Sequence, residues 1–188
     1  MAEPMSNFSD PELIRDVIYV TVATIIGEMV CYAFARGIPR IYDFKGGKLL
    51  KDPTLDKVLD AADGIFCVPY FFVLLACALK GTWDVWAIGT VEARWFQSSS
   101  AARWFQILYV TRMVTHMPIQ WVTLSGNKPL RLQMTAHHLL SVLCFGSGLI
   151  TGRCNFFATL DGCCEASTVF LNSLFLLKIL TPPEVGLG

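Results

Sequence analysis

The sequence predicts an all-α membrane protein, a polytopic bundle of about five transmembrane helices. Hydrophobic residues make up 54% of the chain and charged residues 16%, against about 25% charged in an average soluble domain. The mean hydropathy is +0.51, and five mainly apolar segments approach the length of about 20 residues that a helix needs to cross a bilayer. Fifteen basic residues balance fifteen acidic ones, so no basic excess is available for nucleic acid, and we expect no nucleic-acid partner.

The five predicted spans are separated by long connections after the first and second, at 36–63 and 80–103, and by short ones after the third and fourth. The second span is short, carries no charge and contains Pro69, which predicts a kink. Residues 1–16 are expected outside the membrane, and residues 181–188 form a C-terminal tail at which we expect the chain to be truncated. Residues 17–180 are the predicted transmembrane domain. Its spans are 17–35, 64–79, 104–122, 132–150 and 155–180.

The polar segment 36–63 predicts the orientation of the bundle. It is rich in Lys and Arg, and nine basic residues fall on its side of the membrane against five on the other. Because basic loops remain in the cytosol, the N-terminus is predicted to be lumenal and the C-terminus cytosolic. Within this loop we expect a short helix over Thr54–Ala62, capped by Asp52 or Thr54.

Ionisable side chains within the spans are the candidate functional residues. Each costs at least about 2.5–3.5 kcal/mol at mid-helix, so each needs a partner or a cavity. Counted from the cytosolic helix ends, most lie about 8–11 Å deep, while Arg112 and Glu165 are expected to pair in a deeper layer. They form either a structural polar network or a cytosol-facing cavity for a lipid head group or a proton-transfer site. The candidates are Glu28, Arg112, His116, His137, His138, Glu165 and Asn172.

Two motifs in the fourth and fifth spans carry a family likeness. The stretch Thr135-Ala-His-His-Leu-Leu is followed about 25 residues later by Glu165-Ala-Ser-Thr-Val-Phe-Leu-Asn172. Together they resemble the TLC domain of eukaryotic membrane proteins, in its branch outside the ceramide synthases. The resemblance implies an all-helical protein of the endoplasmic reticulum or another endomembrane, linked to lipid homeostasis and, in its enzymatic branch, to sphingolipids.

The ceramide-synthase branch implies one enzymatic alternative. Those enzymes join a fatty acyl-CoA to a sphingoid amine, and they resemble this chain at His137 and His138. Here the following helix has Asp161 and Glu165 at an acidic spacing of four, but it lacks the branch's further histidine. The candidate catalytic residues under this reading are His137, His138, Asp161 and Glu165.

The leading hypothesis is therefore a TLC-domain protein that binds, senses or regulates membrane lipids through an intramembrane His/Glu site. The first alternative is an acyl-CoA-dependent N-acyltransferase that acts on a lipid amine, and the balance of the sequence leans against an enzyme. The second is a partner or cargo-escort protein, assembled with another membrane protein or with a second copy of itself. No metal ion and no cofactor are expected, with acyl-CoA a substrate only if the chain is an enzyme.

Overall fold

The computed structural model describes residues 10–38, 41–43, 48–50 and 53–180, and the described chain is a helix bundle with one small hairpin. The all-α prediction is confirmed. A 3₁₀ turn over Cys163–Glu165 joins the last two helices. The elements are α1 (Pro11–Gly37), β1 (Ile41–Asp43), β2 (Lys48–Leu50), α2 (Leu55–Trp86), α3 (Val91–Phe96), α4 (Ser100–Thr123), α5 (Lys128–Thr151), α6 (Asn155–Gly162) and α7 (Ala166–Leu180).

Polar caps fix where the long helices begin. The side chain of Asp10 accepts a hydrogen bond from the backbone N–H of Glu12 at 3.0 Å. Ser99 accepts from Ala102 at 3.1 Å, and Asn127 caps α5 in the same way. Each oxygen satisfies a backbone donor that has no partner within the helix. Helix α1 therefore begins inside the segment that was expected to lie outside the membrane.

Helix α2 is much longer than the span predicted within it. It runs for 32 residues, continues through Pro69 and begins at Leu55. The helix expected over Thr54–Ala62 is confirmed in its start, with Thr54 at the N-cap, although Thr54 makes no side-chain cap bond. Its end is wrong, because these residues form the first turns of α2 and not a short helix within a loop. The loop predicted over 36–63 shrinks to the segment around the β1–β2 hairpin. Asp52 lies outside the described residues.

The bundle is organised around α2 and α4. Helix α2 packs against α1, α4, α6 and α7, while α4 also packs against α1, α5 and α6. At Gly81 a Cβ atom would lie 3.0 Å from the Cα of Ala102, so the glycine allows the two central helices to approach closely. Aromatic and aliphatic side chains form the core at this contact. They are Phe71 and Leu74 of α2, Phe105 and Tyr109 of α4, and Phe145 of α5.

Three of the described helices are long and apolar enough to cross a membrane, namely α1, α2 and α5. Their outward faces carry many exposed apolar side chains, such as Ile18, Phe72 and Leu143, which suits contact with lipid. Helix α4 covers the predicted span 104–122. The predicted span 155–180 is divided into α6, the 3₁₀ turn and α7. The count of five membrane crossings and their limits stay predictions.

Candidate functional site

A buried arginine lies at the centre of the polar residues. Arg112 of α4 is 1% exposed. One of its terminal nitrogens, Nη1, donates a hydrogen bond to Glu28 of α1 at 2.5 Å, and Nη2 donates to Asp63 of α2. The Sγ atom of Cys67 lies 3.1 Å from Nη2. The expected pairing of Arg112 with Glu165 is therefore wrong, because the guanidinium forms its ion pairs with Glu28 and Asp63 instead.

Two histidines extend this group of charges. The Nε2 atom of His116 lies 3.3 Å from the second oxygen of Asp63. Its ring centroid is 5.5 Å from that of His138 on α5. The Nδ1 atom of His138 lies 2.8 Å from the sulfur of Met113, and its Nε2 atom is buried without a hydrogen-bond partner among the described residues. We call Glu28, Asp63, Arg112, His116 and His138 the polar cluster.

The polar cluster occupies one level of the bundle. Its members come from α1, α2, α4 and α5, and each lies seven to eleven residues from the helix end nearest the hairpin. That corresponds to a depth of about 10–17 Å at 1.5 Å per residue. We call this end of the bundle the loop side and the end that carries α3 the far side. Antiparallel neighbours bring residues that are distant in sequence to a common depth.

A cavity of about 260 Å³ adjoins the polar cluster on the loop side. Three helices, α1, α2 and α4, form its walls, and Glu28 is the charged residue that lines it. The other lining residues are mainly apolar, with hydroxyl groups from Tyr32 and Thr115. They are Ile25, Met29, Tyr32, Leu59, Ala62, Thr115 and Ile119. We call this space the loop-side cavity.

The remaining predicted residues lie at the edge of the cluster or away from it. His137 is exposed, with its ring 5.5 Å from that of His138. Glu165 interacts with Tyr109 of α4, and exposed Asp161 lines a separate cleft between α5 and α6. Asn172 is half-buried on α7, which packs against α2. The structure thus assembles Glu28, Arg112, His116 and His138, and places the others elsewhere.

Asp63 and Cys67 were not among the predicted site residues. Asp63 directly precedes the apolar run of α2, so the sequence alone assigns it to the end of the polar loop 36–63. Its helical spacing offers a signal, since Asp63, Cys67, Tyr70 and Leu74 recur at intervals of three and four and share one face. In the described part of the chain, no group of three or more His, Cys, Asp or Glu residues is placed to hold a metal ion.

A comparison with protein families matches residues 61–185 to the TLC domain. This chain belongs to the TLC domain family. The matched part of the TLC domain includes Asp63, Arg112, His116 and His138, whereas Glu28 precedes it. Curated proteins and solved structures gave no match. The resemblance noted in the sequence is thereby confirmed at the level of the family, and TLC domains are generally membrane proteins linked to lipid biology.

Proposed function

We propose that this TLC-domain protein binds membrane lipids in the loop-side cavity and thereby regulates the lipid composition of an endomembrane, with the endoplasmic reticulum as the expected site. It belongs, in this proposal, to the branch outside the ceramide synthases, with a lumenal N-terminus and a cytosolic C-terminus. The observation that carries the proposal is the polar cluster beside a cavity that one of its carboxylates lines.

The electrostatics of the cluster support a binding role. Glu28 and Asp63 share the single cation of Arg112, so the carboxyl groups of the cluster outnumber its one arginine. Such groups are expensive in a membrane and commonly mark functional sites. A lipid that donates a hydrogen bond would satisfy Glu28, while the apolar cavity walls would contact its chain. Membrane lipids are accordingly the proposed partners.

Lipid analysis of whole membranes tests the proposal. Cells would express the wild type, Glu28→Gln or His138→Ala at matched protein levels. We expect the wild type to change the acyl-chain composition of membrane lipids and both variants to lose that change. His137→Ala is the matched control, because exposed His137 neighbours His138 in the same helix but makes none of the cluster's ion pairs.

The outcomes separate lipid regulation from structure. Full activity of the folded Glu28→Gln and His138→Ala variants would show that the polar cluster has only a structural role, and it would overturn the proposal. Loss in His137→Ala alone would place the site on the exposed face of α5 instead. Melting temperatures of the purified variants show whether each one is folded.

One contact favours a second candidate function, acyl transfer from acyl-CoA to a lipid amine. Asp63 lies 3.3 Å from His116, an arrangement in which a carboxylate orients a histidine that acts as general base. The motif acids of the synthase reading, Asp161 and Glu165, contact other parts of the bundle. Formation of an N-acylated lipid from acyl-CoA by purified wild type, and not by His116→Gln, would favour this function over lipid regulation.

A further inference from the structure

A second cleft lies on the far side of the bundle, away from the polar cluster. Its volume is about 280 Å³, and it separates α5 from α6. The cleft exists because α5 packs mainly against α4, while α6 packs mainly against α2. Its walls include Phe145 and Gly148 from α5 and Phe157 and Ala158 from α6. We call it the far-side cleft.

An arginine stands at the mouth of this cleft. Arg153 lies in the turn between α5 and α6, where its guanidinium is 5.7 Å from the ring centroid of Phe96. Among the described residues it has no acidic partner. At the same end Lys80 pairs with Asp84 and Arg103 with Asp16, while the guanidinium of Arg94 packs on the rings of Trp86 and Phe156. The mouth therefore presents positive charge available to an anion.

The surroundings of the mouth are those of a membrane interface. The backbone N–H of Cys154 donates to the carbonyl of Trp95 at 2.9 Å, which fixes α3 against the turn. The ring of Trp95 stacks obliquely on that of Phe157, with centroids 4.8 Å apart. Tryptophan and arginine are typical of the level at which lipid head groups lie. The exposed apolar side chains of this rim are Trp83, Trp86, Ile88, Val91, Trp95 and Phe96.

A carboxylate lies deeper in the same cleft. Asp161 is six residues into α6, about 9 Å below its start, and it is exposed within the cleft. It forms no ion pair among the described residues. The interfacial layer of a bilayer is about 5–8 Å thick on each side. With the start of α6 at the outer edge of that layer, Asp161 would lie near the level of a lipid's glycerol backbone. A carboxylate at that level accepts a hydrogen bond from a hydroxyl group.

We propose that the far-side cleft binds a lysophospholipid. Its phosphate contacts Arg153, its free glycerol hydroxyl donates to Asp161, and its single acyl chain lies between Phe145 and Phe157. A cleft of about 280 Å³ falls below the range of roughly 300–1,000 Å³ of drug-sized pockets. It therefore holds the first part of one acyl chain, with the rest of the chain in the surrounding lipid, and leaves no room for a second chain. The site is separate from the loop-side cavity and does not depend on the polar cluster.

Binding to the purified full chain in detergent tests the site. The probe is a fluorescent lysophosphatidylcholine, with displacement by unlabelled lysophosphatidylcholine, diacyl phosphatidylcholine, monoacylglycerol and glycerophosphocholine. Diacyl phosphatidylcholine carries a second chain in place of the free hydroxyl. Monoacylglycerol lacks the phosphate, and glycerophosphocholine lacks the acyl chain. We expect only lysophosphatidylcholine to compete fully.

Three variants address the three contacts. Arg153→Ala and Asp161→Asn each remove one charged partner, and we expect each to weaken probe binding about tenfold or more, because a hydrogen bond to a charged group is lost. Ser147→Trp fills the cleft from its exposed edge and should abolish binding. Lys80→Ala and Leu143→Trp are the matched controls, because both residues are exposed and neither lines the cleft.

Several results would overturn the proposal. Unchanged probe binding in Arg153→Ala or Ser147→Trp would show that the far-side cleft is not the binding site. Equal competition by the diacyl lipid would exclude the hydroxyl contact, and equal competition by glycerophosphocholine would show a soluble phosphate ester as the ligand. Weakening by Lys80→Ala or Leu143→Trp of the same size as in the test variants would show unspecific lipid uptake. Matched melting temperatures exclude misfolding.

Discussion

Arg112 is the residue on which the polar cluster depends. Its guanidinium contacts carboxylates from two other helices while remaining 1% exposed. Removing one partner of a buried ion pair leaves the other charge without compensation, which costs more than the pair contributes by being present. The arginine therefore determines whether Glu28 and Asp63 are tolerated at this depth.

Replacing Arg112 tests this dependence. We expect Arg112→Leu to lower the free energy of unfolding in detergent by about 3–5 kcal/mol, because two largely buried carboxylates, 11% and 18% exposed, lose their cation. Lys80→Leu is the control. Its pair with Asp84 is exposed, with the lysine side chain 69% accessible, and we expect a loss of less than about 1 kcal/mol.

A compensated variant separates charge from packing. If Glu28→Leu and Asp63→Leu are added to Arg112→Leu, no uncompensated charge remains, and we expect most of the stability to return. The same unfolding measurement checks this. A triple variant no more stable than Arg112→Leu would show that the arginine acts through its packing, including its position 5.4 Å from the ring of Phe66.

At the level of residues, the sequence predicts depth better than partners. Glu28, Arg112, His116 and His138 were predicted to be buried polar residues and the structure assembles them. The predicted pairing of Arg112 with Glu165 was wrong, because the depth of a residue along its helix does not show which way the helix is rotated about its axis. Glu165 lies near enough to the same level to look suitable, yet it interacts with Tyr109, one helical turn from Arg112.

At the junction between α6 and α7, side-chain packing interrupts what would otherwise be one regular helix. Gly162 ends α6, and the chain continues through the 3₁₀ turn of Cys163–Glu165. A Cβ atom at Gly162 would overlap the ring of Phe105, which is completely buried in the core. The glycine thus permits the close contact of α6 with α4 that closes this side of the bundle.

Two glycine substitutions should have opposite effects. Gly162→Ala forces Phe105 to move, and we expect it to lower the free energy of unfolding by about 1–3 kcal/mol through overpacking. Gly146→Ala in α5 meets no atom within 4 Å, and we expect a gain of about 0.5–1 kcal/mol, because alanine favours the helix. Thermal unfolding of both purified variants measures the difference; equal shifts would exclude a steric role for Gly162.

Element boundaries were the least predictable part of the fold. An apolar run marks the residues suited to lipid, whereas a helix continues wherever its backbone hydrogen bonds are satisfied. The first turns of α2 carry Asp56, Lys57 and Asp60, so hydropathy assigns them to a loop. Val58, Ala61 and Ala62 nevertheless pack against Ala35 of α1, and this contact makes the start of α2 part of the bundle.

At the scale of the whole molecule, successive helices run in opposite directions, and this determines which turns lie on the same side of the bundle. Short connections join α4 to α5 and α5 to α6, so the turn at 124–127 and the turn at 152–154 lie at opposite ends of α5. Helix α5 is long and apolar enough to cross a membrane. The excess of basic residues on the loop side predicts that the first turn is cytosolic.

Thiol labelling in sealed microsomes tests this orientation. Cys154 is an exposed native cysteine in the far-side turn, and Gly126→Cys adds one in the loop-side turn. We expect an impermeant maleimide to label Gly126→Cys in intact vesicles and Cys154 only after detergent is added, with Cys154→Ser as the background control. Labelling of both sites in intact vesicles would show that α5 does not cross the membrane.

The spacing of the ion pairs along the chain has a consequence for biosynthesis. Glu28 and Asp63 precede Arg112 by 84 and 49 residues. At about 5–20 residues per second, a ribosome completes Glu28 roughly 4–17 s before the cation that neutralises it. During that interval α1 and α2 carry acidic groups without their cation. We therefore expect these helices to stay within the insertion machinery until α4 is made, so that release of the bundle into lipid follows synthesis of its fourth helix.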